Sequence, residues 1–123
     1  MNFTIMKTQL FKQGLLLDDR QLEQFAKYLS LLTEWNQKMD LTALKTDEEI
    51  IEKHFYDSLL VASSLKLSDQ TLIDIGSGAG LTGIPLQIAY PKLHVTLLEP
   101  THKRCVFLEE VQKQLNLTNL SVV

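Results

Sequence analysis

The spacing of apolar residues changes near residue 70 of the chain. Before that point, apolar side chains recur at intervals of three or four residues, which is the pattern of one buried helix face. This spacing predicts a short helix over residues 4–13, ended by Gly14, and a longer helix that begins at Asp18 or Asp19. The longer helix carries the clearest apolar stripe, formed by Leu22, Phe25, Leu29, Leu32 and Trp35.

A third helix is predicted to begin after a connector at residues 41–44. Thr46 and Glu49 have the spacing of a capping box, in which a hydroxyl and a carboxylate three residues later satisfy N–H groups at the helix start. The inward side of this helix carries Ile50, Ile51, His54, Phe55, Ser58, Leu59 and Ala62. Ser63 and Ser64 end the pattern, so helices precede the first strand.

After residue 70 the pattern becomes an alternation of strands and helices. Thr71–Ile75 is rich in β-branched residues and predicts a strand covered on both faces. Pro85 suits a first helical turn, and the apolar residues around it predict a helix that runs to about Tyr90. His94–Leu98 predicts a second, parallel strand. The next helix is predicted from Phe107, Leu108, Val111 and Leu115, and a third strand begins at Leu120.

The alternation of strands and helices indicates the α/β class, and the composition fits one compact globular unit. The chain has 123 residues, of which 45% are hydrophobic and 22% are charged, and its net charge is −3. This charge gives no overall basic field of the kind that free nucleic-acid-binding proteins have. No apolar run reaches the length of a membrane span and no secretory signal begins the chain, so the protein is expected to be cytoplasmic, without a membrane partner. The single cysteine, Cys105, allows no internal disulfide.

A glycine-rich segment follows the first predicted strand directly. Four glycines fall within the eight positions 76–83. So many glycines in one turn indicate backbone with positive φ angles, or a ligand that approaches the bare backbone. The N–H groups at the start of the following helix favour a carboxylate or a phosphate. The segment therefore predicts a small-molecule site.

Two cofactor classes fit this segment. Residues 78–83 have the G-x-G-x-x-G spacing of dinucleotide-binding enzymes, which leaves an NAD(P)-dependent oxidoreductase open. The longer pattern from Asp74 to Gly80 instead resembles motif I of methyltransferases that use S-adenosylmethionine. In that interpretation Asp74 contacts the ammonium group of the cofactor, directly or through water. Glu99 follows the second predicted strand and could accept both ribose hydroxyls in either class.

His54 and Asp57 lie three residues apart on the third predicted helix and could share a face. A metal or acid–base pair is conceivable there, but the sequence offers no third ligand and no nucleophile. The favoured interpretation is a histidine that is hydrogen-bonded between the helix and the sheet. Neither residue is therefore assigned to the site, and no metal is expected.

With all of these regions in view, the chain resembles the N-terminal part of the bacterial small-subunit ribosomal RNA guanine-N7 methyltransferases, the glucose-inhibited division protein B family. The residues that carry the resemblance are Trp35 and Asn36 with 40–42, then 54–59, then 74–85, and finally 96–99 with Lys103, Arg104, Phe107 and Leu108. Three positions depart from the family pattern, which commonly has Pro at Thr82, Asp at Glu99 and Asn at Asp40. None of them removes a function, since Glu can still accept two ribose hydroxyls.

The resemblance implies a fold, a cofactor and a substrate. The fold would be the Rossmann-like sheet of S-adenosylmethionine-dependent methyltransferases, truncated after its third strand, with residues 1–68 as a helical cap and residues 69–123 as the first half of the methyltransferase domain. The substrate would be N7 of a guanine in 16S ribosomal RNA, free or within the small ribosomal subunit. A non-catalytic cofactor-binding or RNA-binding domain remains an alternative.

The predicted cofactor-binding residues are Asp74, Gly76, Gly78, Gly80, Leu81, Glu99, Pro100 and Thr101. The resemblance assigns Gly76 and Leu81 to the loop on the cofactor, and Glu99, Pro100 and Thr101 to its adenosine half. The other three residues come from the end of the first strand and from the loop geometry. No catalytic residue is named, because family members extend well beyond this segment.

The resemblance also bears on how this chain behaves by itself. In methyltransferase sheets of this type, the strand before the glycine loop is central, and later strands pair with its other side. The chain is therefore expected to be an incomplete, inactive fragment in which Leu72–Ile75 is an unpaired apolar edge. Such edges recruit other chains, so self-association is expected.

Overall fold

The computed structural model describes residues 1–39, 41 and 46–123. In chain order the elements are α1 (Phe3–Lys12), α2 (Asp19–Met39), α3 (Asp47–Ile50), a π-helical segment (Ile51–Tyr56), α4 (Asp57–Ala62), β1 (Thr71–Ile75), α5 (Gly83–Ala89), β2 (His94–Leu98), α6 (His102–Leu115) and β3 (Leu120–Val122). Most of the predicted connector, together with Asp40 and Thr42 of the family pattern, lies outside the described residues.

The helices begin where the sequence predicts them, because local side chains cap them. Asn2 Oδ1 accepts a hydrogen bond of 2.8 Å from the Ile5 N–H at the start of α1. At the start of α3, Thr46 Oγ1 accepts one of 3.2 Å from the Glu49 N–H. The Thr46 hydroxyl also donates to the Glu49 carboxylate over 3.0 Å. Thr46 therefore caps the helix as predicted, whereas the Glu49 carboxylate accepts from the Thr46 hydroxyl and not from a backbone N–H as in the predicted capping box.

The third predicted helix contains a feature that the sequence did not indicate. Ile51–Tyr56, between α3 and α4, is π-helical, so its hydrogen bonds span one residue more than those of an α-helix. Apolar spacing of three or four residues fits either type of turn, which explains why the pattern predicted one uninterrupted α-helix. The π-helical segment carries the fully buried Phe55 into the aromatic core of the cap.

The sheet has three parallel strands in the order β1-β2-β3. The α/β class and the sheet predicted from the sequence are therefore confirmed. Two right-handed crossovers in the same direction place α5 and α6 on one face of such a sheet. That face carries Val95 and Leu97, which are buried, and Gly83 at the start of α5 lies against both.

The opposite face of the sheet is open. Ile73 is 58% exposed and Ile75 is 80% exposed, whereas Leu72 and Asp74, on the helix side, are half-buried. The prediction that Thr71–Ile75 is covered on both faces is therefore wrong for this chain, because both crossover helices lie on the same side. Within the described residues, β1 pairs with β2 alone and forms an edge of the sheet, as expected.

The helices before the sheet pack on it through one continuous apolar core. Phe55 is central to the aromatic part of that core, since its ring lies 5.4 Å from Phe25 and 5.3 Å from Tyr28, measured between centroids. Farther along α2, Trp35 contacts Phe107 of α6 with a centroid distance of 5.5 Å. The core thus crosses residue 68, and the division into a cap of 1–68 and a domain of 69–123 stays a prediction.

Among the residues that the structure describes, each helix is either too short or too polar to cross a bilayer.

Candidate functional site

The glycine loop joins β1 to α5 at the carboxyl ends of the parallel strands. Gly76, Gly78 and Gly80 have φ angles of +69°, +59° and +75°, which is the left-handed region that glycine enters without steric cost. The N–H groups of Gly76 and Ser77 both donate to the carbonyl oxygen of Leu98, over 2.7 Å and 3.2 Å. The loop is therefore anchored to the end of β2, and the predicted positive φ angles are confirmed.

The four glycines of the loop serve two different purposes. A Cβ atom built at Gly76 or at Gly78 meets no atom within 4 Å, so both positions face open space. A Cβ at Gly80 lies only 2.6 Å from Ile84 Cγ1 and 2.8 Å from Leu108 Cδ2. At Gly83 it overlaps a methyl group of Leu97. The first two glycines leave room at the backbone, while the last two allow the loop and α5 to pack closely.

Glu99, one residue beyond β2, is held directly beneath the open part of the loop. Although its side chain is only 6% exposed, both carboxylate oxygens are hydrogen-bonded. Oε1 accepts from the Gly78 N–H at 2.8 Å, and Oε2 accepts from the Thr101 N–H at 2.8 Å. Because a carboxylate offers about four acceptor positions, each oxygen can still accept one more hydrogen bond.

The environment of Glu99 keeps its carboxylate ionised. Burial by itself raises the pKa of this group, but the hydrogen bonds from Thr101 and Gly78, with the positive charge of Arg104, outweigh it. The net result is a pKa below the ordinary value of 4.5. A buried anionic acceptor therefore lies next to the bare backbone of Gly78, and its contact with a ribose stays a prediction.

Asp74 lies on the helix-facing side of β1, under the start of α5. Its side chain is half-buried, and its Oδ2 atom would lie 3.1 Å from a Cβ at Gly83. Its backbone oxygen accepts a hydrogen bond of 2.8 Å from the Ser77 hydroxyl, which fixes the first turn of the loop. Asp74 is the penultimate residue of β1 and Glu99 follows β2, so both lie near the carboxyl ends of neighbouring strands.

The other predicted residues differ in what they present. Leu81 is half-buried, and Pro100 and Thr101 are exposed, with Thr101 preceding α6 as its N-cap residue. The glycine at position 80 is already explained by packing, and its N–H donates to the Ser77 oxygen over 2.9 Å. Its direct contact with a cofactor stays a prediction, as do the contacts of the other seven residues.

Two side chains of the helical region reach the loop, and the sequence did not single them out. The Tyr28 hydroxyl donates to the Ala79 oxygen over 2.5 Å, and the Ser58 hydroxyl donates to the Leu81 oxygen over 3.4 Å. Burial, and to a smaller extent the charge of Asp74, raises the pKa of Tyr28 well above 10.0, so the hydroxyl stays protonated as a donor. A tyrosine three residues after Phe25 on the apolar stripe was the available signal, because buried tyrosine hydroxyls need a polar partner.

Two other side chains with reactive groups, His54 and Cys105, lie outside the predicted site. Burial lowers the pKa of His54 below 6.5, although the nearby charge of Asp57 opposes this shift. The thiol of Cys105 donates to the backbone oxygen of Glu99 over 3.0 Å. Among the described residues the His54 side chain makes no hydrogen bond, so the hydrogen-bonded histidine expected from the sequence is not observed.

A cavity of about 230 Å³ lies at the other end of the sheet, between α2, α5 and the turn before β3. Its amide side chains tie these elements together. Gln21 Nε2 donates to the Ile88 oxygen over 3.0 Å, and Asn119 Nδ2 donates to the Pro91 oxygen over 2.9 Å. The cavity is therefore a joint between the helical region and the sheet, remote from the glycine loop.

Comparison with known proteins identifies relatives over most of the chain. The family model GidB, described as rRNA small subunit methyltransferase G, matches residues 21–123. The ribosomal RNA small subunit methyltransferase G of Acetivibrio thermocellus is 49% identical over 110 residues, which are 89% of this chain and 46% of that protein. The protein of the same name from Bacillus velezensis is 41% identical over 100% of this chain and 52% of its own length. The chain spans about half the length of the curated relatives it matches.

A solved structure supports the fold. Coclaurine N-methyltransferase, determined with N-methylheliamine and SAH, matches with a TM-score of 0.54 and 23% identity. The match covers 79% of this chain and 28% of that one. At this identity the likeness shows the fold alone, which is the Rossmann-like sheet predicted from the sequence.

Proposed function

This chain belongs to the GidB family, rRNA small subunit methyltransferase G, and we propose that the protein transfers a methyl group from S-adenosylmethionine to N7 of a guanine in 16S ribosomal RNA. The family match over residues 21–123 is the observation that carries the proposal. It supports a methyltransferase that acts on ribosomal RNA. The cofactor and the guanine N7 acceptor are the finer parts of the proposal, and the chemistry of the loop supports the first of them.

The proposed cofactor site consists of the strand end, the loop and the residues after β2. Its members are Asp74, Gly76, Gly78, Gly80, Leu81, Glu99, Pro100 and Thr101. The fit rests on two observations, namely the space left open at Gly76 and Gly78 and the ionised, buried acceptor at Glu99. Glu99 would accept the two ribose hydroxyls with its remaining lone pairs, and Asp74 would contact the ammonium group. Gly80 would contribute by keeping the loop in shape.

The proposed reaction requires positioning more than proton transfer. S-adenosylmethionine supplies an electrophilic methyl group on a positively charged sulfur. Guanine N7 carries a free lone pair, so it can take that methyl group without losing a proton first. The contribution of this chain would be to hold the cofactor in line with the acceptor and to exclude water. For that reason no residue of the chain is proposed as a general base.

The acceptor atom restricts the kind of RNA that could be modified. N7 faces the major groove, which is deep and narrow in A-form RNA. The target guanine must therefore lie in a loop or be turned out of its helix. A folded ribosomal RNA, alone or in the small subunit, offers such a site.

The family match gives no support to the NAD(P)-dependent oxidoreductase that the spacing of residues 78–83 left open. Calorimetric titration of the full gene product with S-adenosylhomocysteine and with NADH separates the two cofactor classes. A methyl-transfer assay of the same protein separates an enzyme from a non-catalytic cofactor-binding or RNA-binding domain.

The substrate proposal is tested in cells that lack the gene. Mass spectrometry of nuclease digests of their small-subunit ribosomal RNA should show the loss of one N7-methylguanosine, restored by the wild-type gene. A Glu99→Ala gene should restore it poorly. If the nucleoside persists at the wild-type level in the deletion strain, the substrate proposal is wrong, whatever cofactor is bound.

We also propose that the 123 residues by themselves self-associate, bind S-adenosylmethionine weakly and transfer no methyl group. The exposed Ile73 and Ile75 and the unpaired side of β1 support this proposal. Light scattering and a methyl-transfer assay on the 123 residues, beside the full gene product, provide the test. A monodisperse, active monomer of 123 residues would contradict it.

A further inference from the structure

Three peptide groups of the glycine loop are held by side chains from outside the loop. The N–H of Gly78 is held by Glu99, from the sheet. The carbonyl groups of Ala79 and Leu81 are held by the hydroxyls of Tyr28 and Ser58. These two hydroxyls belong to α2 and α4, so the helical region fixes the half of the loop that the sheet does not reach.

Tyr28 can hold its partner because the tyrosine itself is immobile. Its side chain is fully buried, and its ring stacks on Phe55 with a centroid distance of 5.3 Å and an angle of 20°. The hydroxyl therefore has one position, 2.5 Å from the Ala79 oxygen. Neither ring can shift without disturbing the aromatic core.

The bond from Tyr28 determines the orientation of a whole peptide unit. Since a peptide group is planar, fixing the Ala79 oxygen also fixes the Gly80 N–H, which points the opposite way. That N–H donates to the Ser77 oxygen over 2.9 Å and closes the turn around Gly78. The open backbone at Gly78 is thus shaped by a hydroxyl that lies on the other side of the loop.

Ser58 acts on the next part of the loop. It lies three residues after Phe55, on the helix that follows the π-helical segment, and its bond to the Leu81 oxygen is 3.4 Å long and partly buried. This bond is longer and more exposed to solvent than the bond from Tyr28, so it should stabilise the loop conformation less. It nevertheless holds Leu81, which lies two positions before the start of α5 at Gly83.

We propose that Tyr28 and Ser58 are positioning residues that hold the glycine loop in its cofactor-receiving conformation, so that the helical region sets the affinity for the cofactor. The inference rests on the proposed function, because it takes S-adenosylmethionine as the ligand of the loop. The measured affinity for the cofactor is proportional to the population of the loop conformation that can bind it. If removing a hydroxyl lets the loop adopt other conformations, that population decreases and the affinity falls by the same factor. Neither hydroxyl needs to touch the cofactor for this effect.

Tyr28→Phe is the principal test, because phenylalanine keeps the stacked ring and removes only the hydroxyl. Loss of one buried hydrogen bond changes the equilibrium of the loop about tenfold, so the binding of S-adenosylhomocysteine to the full gene product should weaken several-fold, and at most about tenfold. Ser58→Ala should weaken it about twofold, as expected for a weaker bond. Ser58→Thr retains a hydroxyl at the same position and should restore most of the affinity.

Gln24→Met supplies a matched control on the same helix. The Gln24 side chain donates to the Leu115 oxygen over 2.9 Å, so this variant also loses a bond between α2 and the rest of the fold. It leaves the loop untouched. Gln24→Met should lower thermal stability and leave the calorimetric affinity for S-adenosylhomocysteine unchanged. Wild-type affinity in Tyr28→Phe, or an equal loss in Gln24→Met, would overturn the inference.

Amide hydrogen exchange without ligand gives a second readout that does not depend on the cofactor. Tyr28→Phe should speed exchange of residues 76–82 about tenfold, relative to Gln24→Met, because the turn closed by the Gly80 N–H opens more often. Should the wild-type protein fail to bind S-adenosylhomocysteine, the proposed function fails and this measurement alone decides the inference. Equal exchange of the loop in the two variants would then overturn it.

Discussion

Both ends of the glycine loop contain two glycines, but the surroundings of these glycines differ. At the first end, Gly76 and Gly78 face open space. At the second end, Gly80 and Gly83 are enclosed by Ile84, Leu108 and Leu97. Three of the four residues share a positive φ angle, so backbone conformation does not separate the ends. The space beside each Cα atom does, and it separates an open backbone surface from a closely packed joint between strand and helix.

The glycines of such a motif can be separated by whether other atoms of the fold fill the space beside them. Glycines that pack against their own fold are required by stability, whatever the protein binds. Gly76 and Gly78 have a left-handed backbone, but no neighbouring atom fills the space beside them, so they leave room for a ligand. In this loop, Gly76, Gly78 and Glu99 are therefore the residues that support the proposed cofactor site.

The largest expected effect comes from filling the enclosed end. Gly80→Ala places a methyl group 2.6 Å from Ile84 Cγ1 and 2.8 Å from Leu108 Cδ2, where neighbouring side chains are fully buried. Overpacking together with a left-handed φ angle should lower the free energy of unfolding by about 2–4 kcal/mol. Urea unfolding of the full gene product measures this change. A loss below that of Gly78→Ala would break the division of the loop into two ends.

Gly78→Ala, at the open end, should be milder. The new methyl group meets nothing within 4 Å, so only the left-handed backbone is strained. The free energy of unfolding should fall by about 1 kcal/mol. The same urea experiment measures it, and a loss as large as that of Gly80→Ala would show that unseen contacts close this end as well.

The smallest expected effect concerns acid stability and the bond between Glu99 and Gly78. Since the folded pKa of Glu99 lies below the ordinary 4.5, the carboxylate stabilises the fold fully above that pH. This stabilisation is lost as the pH falls through the folded pKa. Glu99→Gln should therefore unfold with a shallower dependence on pH below 4.5 than the wild type, as measured by thermal melts across that range. Identical pH profiles would show that the hydrogen bonds do not favour the ionised form.

The order of elements could be predicted from the sequence because apolar spacing and caps are local signals. Asn2, Thr46 and the run His94–Leu98 act through neighbours within a few residues, so their helices and strand appear where the pattern indicates. The candidate loop was found for the same reason, since its glycines are consecutive with β1.

What the sequence could not provide depends on distant contacts. Gly78 and Gly80 are the same residue type in the sequence. Only the packing of Ile84 and Leu108 against Gly80 distinguishes the two positions. Tyr28 lies 51 positions from the Ala79 oxygen that it holds. Likewise, the exposure of Ile75 follows from both crossover helices sharing one face, which β-branched composition does not reveal.

We propose that the cofactor lies on the open end of the loop with its ribose on Glu99. Calorimetric titration of the full gene product with S-adenosylhomocysteine tests it, using wild type, Gly78→Val and Glu99→Ala, each first shown to unfold cooperatively. We expect the wild type to bind and Gly78→Val to show no detectable binding, because the valine side chain blocks access to the backbone. Glu99→Ala should lose about 1–3 kcal/mol of binding free energy from a charged hydrogen-bond pair. Unchanged affinity in both variants would contradict it.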